Sequence, residues 1–148
     1  MKYTEQYKDK KAIENTIDDV LEFSFRYFTE TEGNLVPVTS EHDVDFDIKR
    51  VFYTWDVPHG ELRGQHAHHQ CEQVIVCLKG ELVVEVDDGV NKKIVTLNSP
   101  EKALYIPTGI WAQETYNNEA IMLAFCSNKY AKADYINDYE EFLEWRRS

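Results

Sequence analysis

His66 and His68 are the residues on this chain best placed to do chemistry, in the run Arg63-Gly64-Gln65-His66-Ala67-His68-His69-Gln70-Cys71-Glu72. Side chains at i and i+2 of an extended strand point to one face. Imidazole titrates close to neutrality, so such a pair can take and return protons. With Glu72 on the same parity it also offers a three-donor set for a divalent metal. Val74, Val76 and Leu78 continue that parity, so the stretch reads as a polar site above an apolar core. The pattern predicts one strand closed by Gly80. Residues 81–86 and the turn Asp87-Asp88-Gly89 would form the next strand of a hairpin.

The elements that must hold this site follow from the pattern on either side. Ala12, Ile13, Ile17, Val20 and Leu21 have helical spacing, which predicts an amphipathic helix over residues 1–22 as an extension to a domain at 23–148. Short strands are expected at 22–28, 35–38, 48–55, 93–97, 102–107, 111–116 and 120–126, the last two joined across Asn117-Asn118. Residues 133–147 carry Tyr135, Ile136, Tyr139, Phe142, Leu143 and Trp145 and predict a short helix packed on a sheet. Many short strands without an internal repeat give an all-β fold, a small barrel of double-sheet jelly-roll type with short N- and C-terminal helices. Such folds carry their chemistry in the mouth, where inward residues of adjacent strands converge.

Charge and cysteine content narrow the partners. A formal net charge of −11 over 148 residues argues against nucleic acid and anionic lipid. No apolar run approaches a bilayer span and the first residues are charged, so a cytoplasmic protein is expected. Cys71 and Cys77 fall ~20 Å apart on one extended strand, beyond disulfide reach, and Cys126 has no evident partner. All three are read as reduced packing residues.

Gly60-x5-His66-x-His68-x3-Glu72-x7-Gly80 resembles the first motif of the cupin superfamily, and Pro107-x-Gly109 the start of the second. A closer resemblance runs through Glu32-Gly33-Asn34-Leu35, Ile48-Lys49-Arg50-Val51-Phe52-Tyr53, Arg63-Gly64-x-His66-Ala67-His68, Glu72-Gln73, Asp87-Asp88-Gly89, Tyr105-Ile106-Pro107 with Trp111, and Asp134-Tyr135-Ile136-x-Asp138-Tyr139-x-x-Phe142. Over roughly residues 22–142 the chain is similar to the nucleotide-sugar 3,4-ketoisomerases, the WxcM-like or FdtA-like cupins. Two positions depart from that family's pattern: Glu32 stands where an arginine is usual, and Ala112 where a histidine follows the tryptophan.

The resemblance implies a cupin-type barrel and a homodimer. It also implies conversion of dTDP-4-keto-6-deoxyglucose to its 3-keto isomer, toward 3-amino-3,6-dideoxy sugars of surface glycans such as lipopolysaccharide O-antigen. The reaction is an enolisation: a base takes the C3 proton and the enediol is reprotonated at C4, so no redox cofactor is needed. His68 is expected as the main base, His66 as its partner at the oxygen, and Tyr53 as the phenol. Arg63 and Arg50 would grip the diphosphate, Tyr105 and Trp111 would stack on the substrate, and Glu72 would anchor a hydrogen-bond network within the substrate site. His42, His59 and His69 read as loop or outward residues. No metal is expected, because Ala112 occupies the position of the superfamily's fourth ligand. The competing readings are a metal-dependent cupin enzyme using His66, His68 and Glu72, and a sugar-binding cupin without turnover.

Overall fold

The computed structural model describes residues 10–148. Ten strands and one helix follow in order: β1 Leu21–Ser24, β2 Phe28–Glu30, β3 Gly33–Leu35, β4 Arg50–Thr54, β5 Glu61–His68, β6 Gln73–Asp87, β7 Lys92–Leu97, β8 Lys102–Ile106, β9 Trp111–Cys126, β10 Tyr135–Ile136 and α1 Tyr139–Arg146. The long strands β6 and β9 pair antiparallel over nearly their whole length, from Gln73 opposite Cys126 to Asp87 opposite Trp111. Around one half of that ladder lie β4, β8 and β1; around the other lie β5, β10 and β7. The result is a two-layer jelly roll whose sheets share β6 and β9 and do not close into a continuous barrel, with β2 and β3 as a separate hairpin.

The core lies between the two layers. Ile75, Cys77, Leu82, Val84, Val86, Leu97, Leu104, Ala112, Tyr116, Met122, Ala124 and Cys126 face one another there. Each large side chain so buried contributes about 1.5–3 kcal/mol. The parity of β6 changes along its length, from Ile75 and Cys77 to Leu82 and Val84, because the strand bulges between Cys77 and Glu81. Gly80 therefore does not end a strand. Its φ is +77°, and a Cβ there would fall 2.5 Å from the carbonyl oxygen of Asn118, so only glycine fits the crossing. Opposite it, Asn118 and Glu119 take left-handed φ values of 56° and 60°, and the expected turn at Asn117-Asn118 is a bend within one strand.

Both outer faces are partly covered. Val44, Phe46, Val36 and Val38, from the segment before β4, lie on Val74, Val76, Tyr105 and Phe125. Helix α1, capped by Asp138 accepting from the Glu141 amide, sets Phe142 on Ala67, Trp111 and Ile136. The amphipathic helix expected over 1–22 does not form in its described part; residues 1–9 of that expectation lie outside the described residues. Two single 3-10 turns, Ala12–Glu14 and Ile17–Asp19, precede β1 instead. Thr16 and Asp19 cap the second turn reciprocally, and the Ile17 amide donates to Asp88, so local polar bonds outcompete helical continuation. Arg146 fastens this segment by donating to the carbonyls of Ala12 and Asn15. No described helix is long and apolar enough to cross a membrane.

Candidate active site

His66 and His68 face the interior near one end of β5. His66 stands opposite Ala112 of β9, a residue of the inter-sheet core, and side chains opposed across an antiparallel pair share a face. His68 stands opposite Tyr135 of β10. The ladder slips between Arg63 and His66, where Gly64 has φ +74° and the Glu114 carboxylate lies against its bare backbone. The two imidazoles meet edge to face with centroids 4.8 Å apart.

The second shell comes from the C-terminal part of the chain. Asp134 Oδ2 lies 2.8 Å from His68 Nδ1, while its Oδ1 accepts from the Gln70 amide at 2.6 Å. The carboxylate thus holds the ring and fixes the proton on Nδ1, leaving Nε2 as the free lone pair. That Nε2 is buried and has no hydrogen-bond partner among the described residues. Burial lowers the proton affinity of His68, against the opposing effect of Asp134. His66, half-buried and repelled by His68 and Arg50, is pushed down to about 4 by desolvation first and those charges second. Both rings are therefore neutral at neutral pH, the state a base needs.

Tyr135 was not singled out from the sequence as a site residue, yet its ring centroid is 4.9 Å from His66 and 4.4 Å from His68. Burial shifts its phenol upward in pKa, while the Arg50 guanidinium opposes that shift. Arg50 itself points inward, opposite Cys126, and its guanidinium carbon lies 5.7 Å from the ring centre of Tyr130. Tyr130 packs in turn on Tyr135 at 5.6 Å. Two imidazoles, one phenol, one guanidinium and one anchoring carboxylate thus surround a single interior point. They can abstract and return a proton beside an oxygen.

The chain matches the family model described as WxcM-like, C-terminal (FdtA) over residues 18–147. The chain belongs to this family. It is 35% identical over 123 residues to the TDP-4-oxo-6-deoxy-alpha-D-glucose-3,4-oxoisomerase of Aneurinibacillus thermoaerophilus, covering 82% of this chain and 88% of that one. Among solved structures it resembles the sugar 3,4-ketoisomerase QdtA of Thermoanaerobacterium thermosaccharolyticum in complex with TDP, at 30% identity and a TM-score of 0.84, covering 86% and 94% of the two chains. It also resembles the TDP-quinovose 3,4-ketoisomerase WlaRB of Campylobacter jejuni, at 32% identity and a TM-score of 0.80, covering 84% and 97%.

In this WxcM-like chain several residues named from sequence lie away from the imidazoles. Tyr53 pairs with Leu123 on the outer face of β4 and is 61% exposed, so its phenol points away from the interior that Arg50 and Phe52 enter. Strand parity decides this, since Arg50, Phe52 and Thr54 take the inward positions. Trp111 lies outside as well, beneath α1, against Tyr139 and Phe142. Tyr105 donates to Glu72 at 2.7 Å and packs with the outer-face cluster. Arg63 remains exposed beside Glu114, whose carboxyl burial raises to about 7.

The expected single face from His66 to Leu78 is broken because β5 ends at His68 and β6 begins at Gln73. The intervening loop reverses the parity, so Val74 and Val76 face outward with Glu72 bonded to Tyr105. The three-donor set His66, His68 and Glu72 does not assemble. The donors that do converge are His68, Cys71 and Asp134, with ligand atoms within 4.8 Å of one another. That set suits a zinc-like ion by type, but the Arg50 guanidinium, 4.0 Å from the Cys71 sulfur, opposes a cation there.

Proposed function

We propose that the chain is a TDP-4-keto-6-deoxyglucose 3,4-ketoisomerase. The reading rests on one observation above the others: the Asp134 carboxylate holds Nδ1 of His68 while Nε2 is buried without a partner among the described residues. An imidazole so arranged is a ready base for a proton alpha to a carbonyl. His68 Nε2 takes the C3 proton, and the C4 carbonyl oxygen gains a proton as the double bond moves to C3–C4. The C3 hydroxyl then gives up its proton as C4 is reprotonated, leaving the ketone at C3. His66 and Tyr135 are the groups beside those oxygens, and the Arg50 guanidinium favours the phenolate form of Tyr135. Arg63, exposed three residues before His66 on β5, is the candidate contact for the diphosphate.

The protein acts as a homodimer in the cytoplasm. Tyr27, Phe28 and Leu35 on and beside the β2–β3 hairpin, and Val51, Tyr53 and Trp55 on and just after β4, are large apolar side chains left at least half exposed. A groove of about 720 Å³ lined by Phe25, Tyr27, Val76, Leu78, Leu123 and Phe125 lies beside that hairpin. Exposed apolar surface of this extent is covered in a stable protein. The 3-keto product is the substrate chemistry of an aminotransferase that makes 3-amino sugars for a surface glycan.

Proton NMR of the purified protein with TDP-4-keto-6-deoxyglucose in deuterated water tests the activity. Deuterium entering the sugar ring together with a 3-keto product is the expected result. A folded protein that gives neither exchange nor product overturns it. Sedimentation at micromolar protein tests the dimer, and a single monomeric species overturns that.

A further inference from the structure

Glu114 is a buried carboxyl in an apolar setting, and the isomerisation gives it no task. It lies on β9 between Ala112 and Tyr116, two residues of the inter-sheet core, with Val84 of β6 opposite on one side and Arg63 of β5 opposite on the other. Opposed residues of an antiparallel pair share a face, so carboxyl and guanidinium lie on the same side of the ladder. Their surroundings differ: Glu114 is 6% exposed, whereas Arg63 is open to solvent. Room for the carboxyl comes from Gly64, where a Cβ would overlap Glu114 Oε2. Among the described residues no other side chain hydrogen-bonds to it. Burial raises the carboxyl to about 7 against the opposing charge of Arg63. Tyr116 is the other titratable group packed beside it; burial pushes that phenol up to about 12, and its hydroxyl is engaged with Thr54 Oγ1 at 2.6 Å. Val84 brings no charge. An apolar side chain would fill this core position without the cost of a buried carboxylate, so packing alone does not account for Glu114.

We propose that Glu114 is an exchangeable counter-ion of Arg63, displaced by the substrate diphosphate, so that the site takes up a proton as the sugar nucleotide binds. This rests on the isomerase reading, in which Arg63 meets the diphosphate. Near neutrality the empty site holds Glu114 partly as acid and partly as carboxylate. A bound diphosphate engages the guanidinium and sets two negative charges near the carboxylate, and both effects favour the acid. The proton comes from solvent and ends on a Glu114 carboxyl oxygen; no other bond changes. By linkage, binding must weaken as pH rises above about 7. A tenfold to hundredfold coupling between proton and diphosphate gives an uptake of about 0.5–0.8 proton at pH 7.5, and an affinity about 6- to 20-fold lower at pH 8.5 than at pH 6.5.

The test titrates the full-length His68→Asn protein, in which turnover is blocked, with TDP-4-keto-6-deoxyglucose in a calorimeter, using two buffers of different ionisation enthalpy at pH 7.5. A diphosphate esterified at both ends exchanges no proton near neutrality, so the difference in heat counts the protons taken by the protein. The expected count is about 0.5–0.8. With Glu114→Gln added, the count falls to zero and the affinity is the same at pH 6.5 and 8.5. Arg63→Met in the His68→Asn protein weakens binding and lowers the count, a second readout that does not depend on folding of the glutamine variant. Binding without proton uptake, or an uptake that persists in Glu114→Gln, overturns the proposal and leaves the isomerase reading standing. No binding of the sugar nucleotide to any of these proteins overturns the isomerase reading, and the proposal with it.

Discussion

Asp134→Asn changes a single atom, yet it should remove most of the activity. In the native site Oδ2 accepts the Nδ1 proton of His68 at 2.8 Å, and Oδ1 accepts from the Gln70 amide at 2.6 Å. Asparagine can keep the Gln70 bond through its oxygen, which turns its NH2 toward His68. An NH2 there must meet a bare Nδ1, so the imidazole proton moves to Nε2 and the lone pair facing the interior disappears. The charge-assisted bond alone is worth about 1.5–3 kcal/mol, or roughly 10- to 150-fold. The lost lone pair forfeits general-base catalysis as well, so the expected total is a ~10²- to 10⁴-fold fall in kcat. Because the Gln70 bond survives, the fold should be unchanged by circular dichroism. The assay is the initial rate of deuterium entry into TDP-4-keto-6-deoxyglucose, followed by NMR across a pH series. A folded variant whose kcat lies within about 0.5 kcal/mol of wild type, roughly twofold, would show that Asp134 does not set the tautomer of a catalytic His68.

Other expectations follow from neighbouring observations. Tyr135→Phe should lower kcat by roughly 10- to 10³-fold through loss of the phenol beside both imidazoles, whereas Tyr53→Phe on the outer face should leave it unchanged; the same rates reversed between the two variants would refute the placement. His66 should make stability depend on pH. Its unfolded pKa is 6.5 and its folded value is about 4, so between those values the unfolded chain binds a proton that the folded one refuses. Stability is thus full above 6.5 and falls as pH drops toward 4, by at most about 3 kcal/mol at ~1.4 kcal/mol per unit. Urea midpoints at pH 7 and 4.5 would read this, and a slope unaltered in His66→Asn would count against it. Gly80→Ala should destabilise by more than ~1 kcal/mol, because its methyl meets backbone atoms that cannot give way; a thermal midpoint equal to wild type would contradict the crossing geometry.

The fold was legible because its signals are local. Alternating apolar runs, turn residues and the His66-x-His68 pair each depend on a few neighbours, and the order of motifs through Tyr135, Asp138 and Phe142 identified the family. What the sequence hid were features made by pairing across distance. Asp134 is 66 positions from the His68 it binds, and nothing near either residue announces the other. Parity also misled, since a four-residue connection reversed the face of β6 and carried Glu72 away from the histidines. From sequence Tyr53 reads as the phenol of a neighbouring strand, but only the register Arg50 opposite Cys126 shows which side of β4 turns inward. Tyr135 carried part of the family likeness, and its chemistry became visible only when β10 docked on β5. At the N-terminus, apolar spacing belonged to two capped turns and the start of a strand, which together imitate a helical period.

Because β6 and β9 are zipped from Gln73–Cys126 to Asp87–Trp111, neither layer of the molecule owns a complete set of strands. Melting one layer strips the ladder partner from the other, so the two are expected to unfold in a single transition. The ladder also joins segments far apart along the chain, which makes loop closure a prerequisite of almost every interior contact and favours slow folding. The imidazoles sit on a strand clamped to that ladder through Ala112, and they acquire their geometry only when it is complete. Catalytic competence and the final cooperative step of folding should therefore appear together in time.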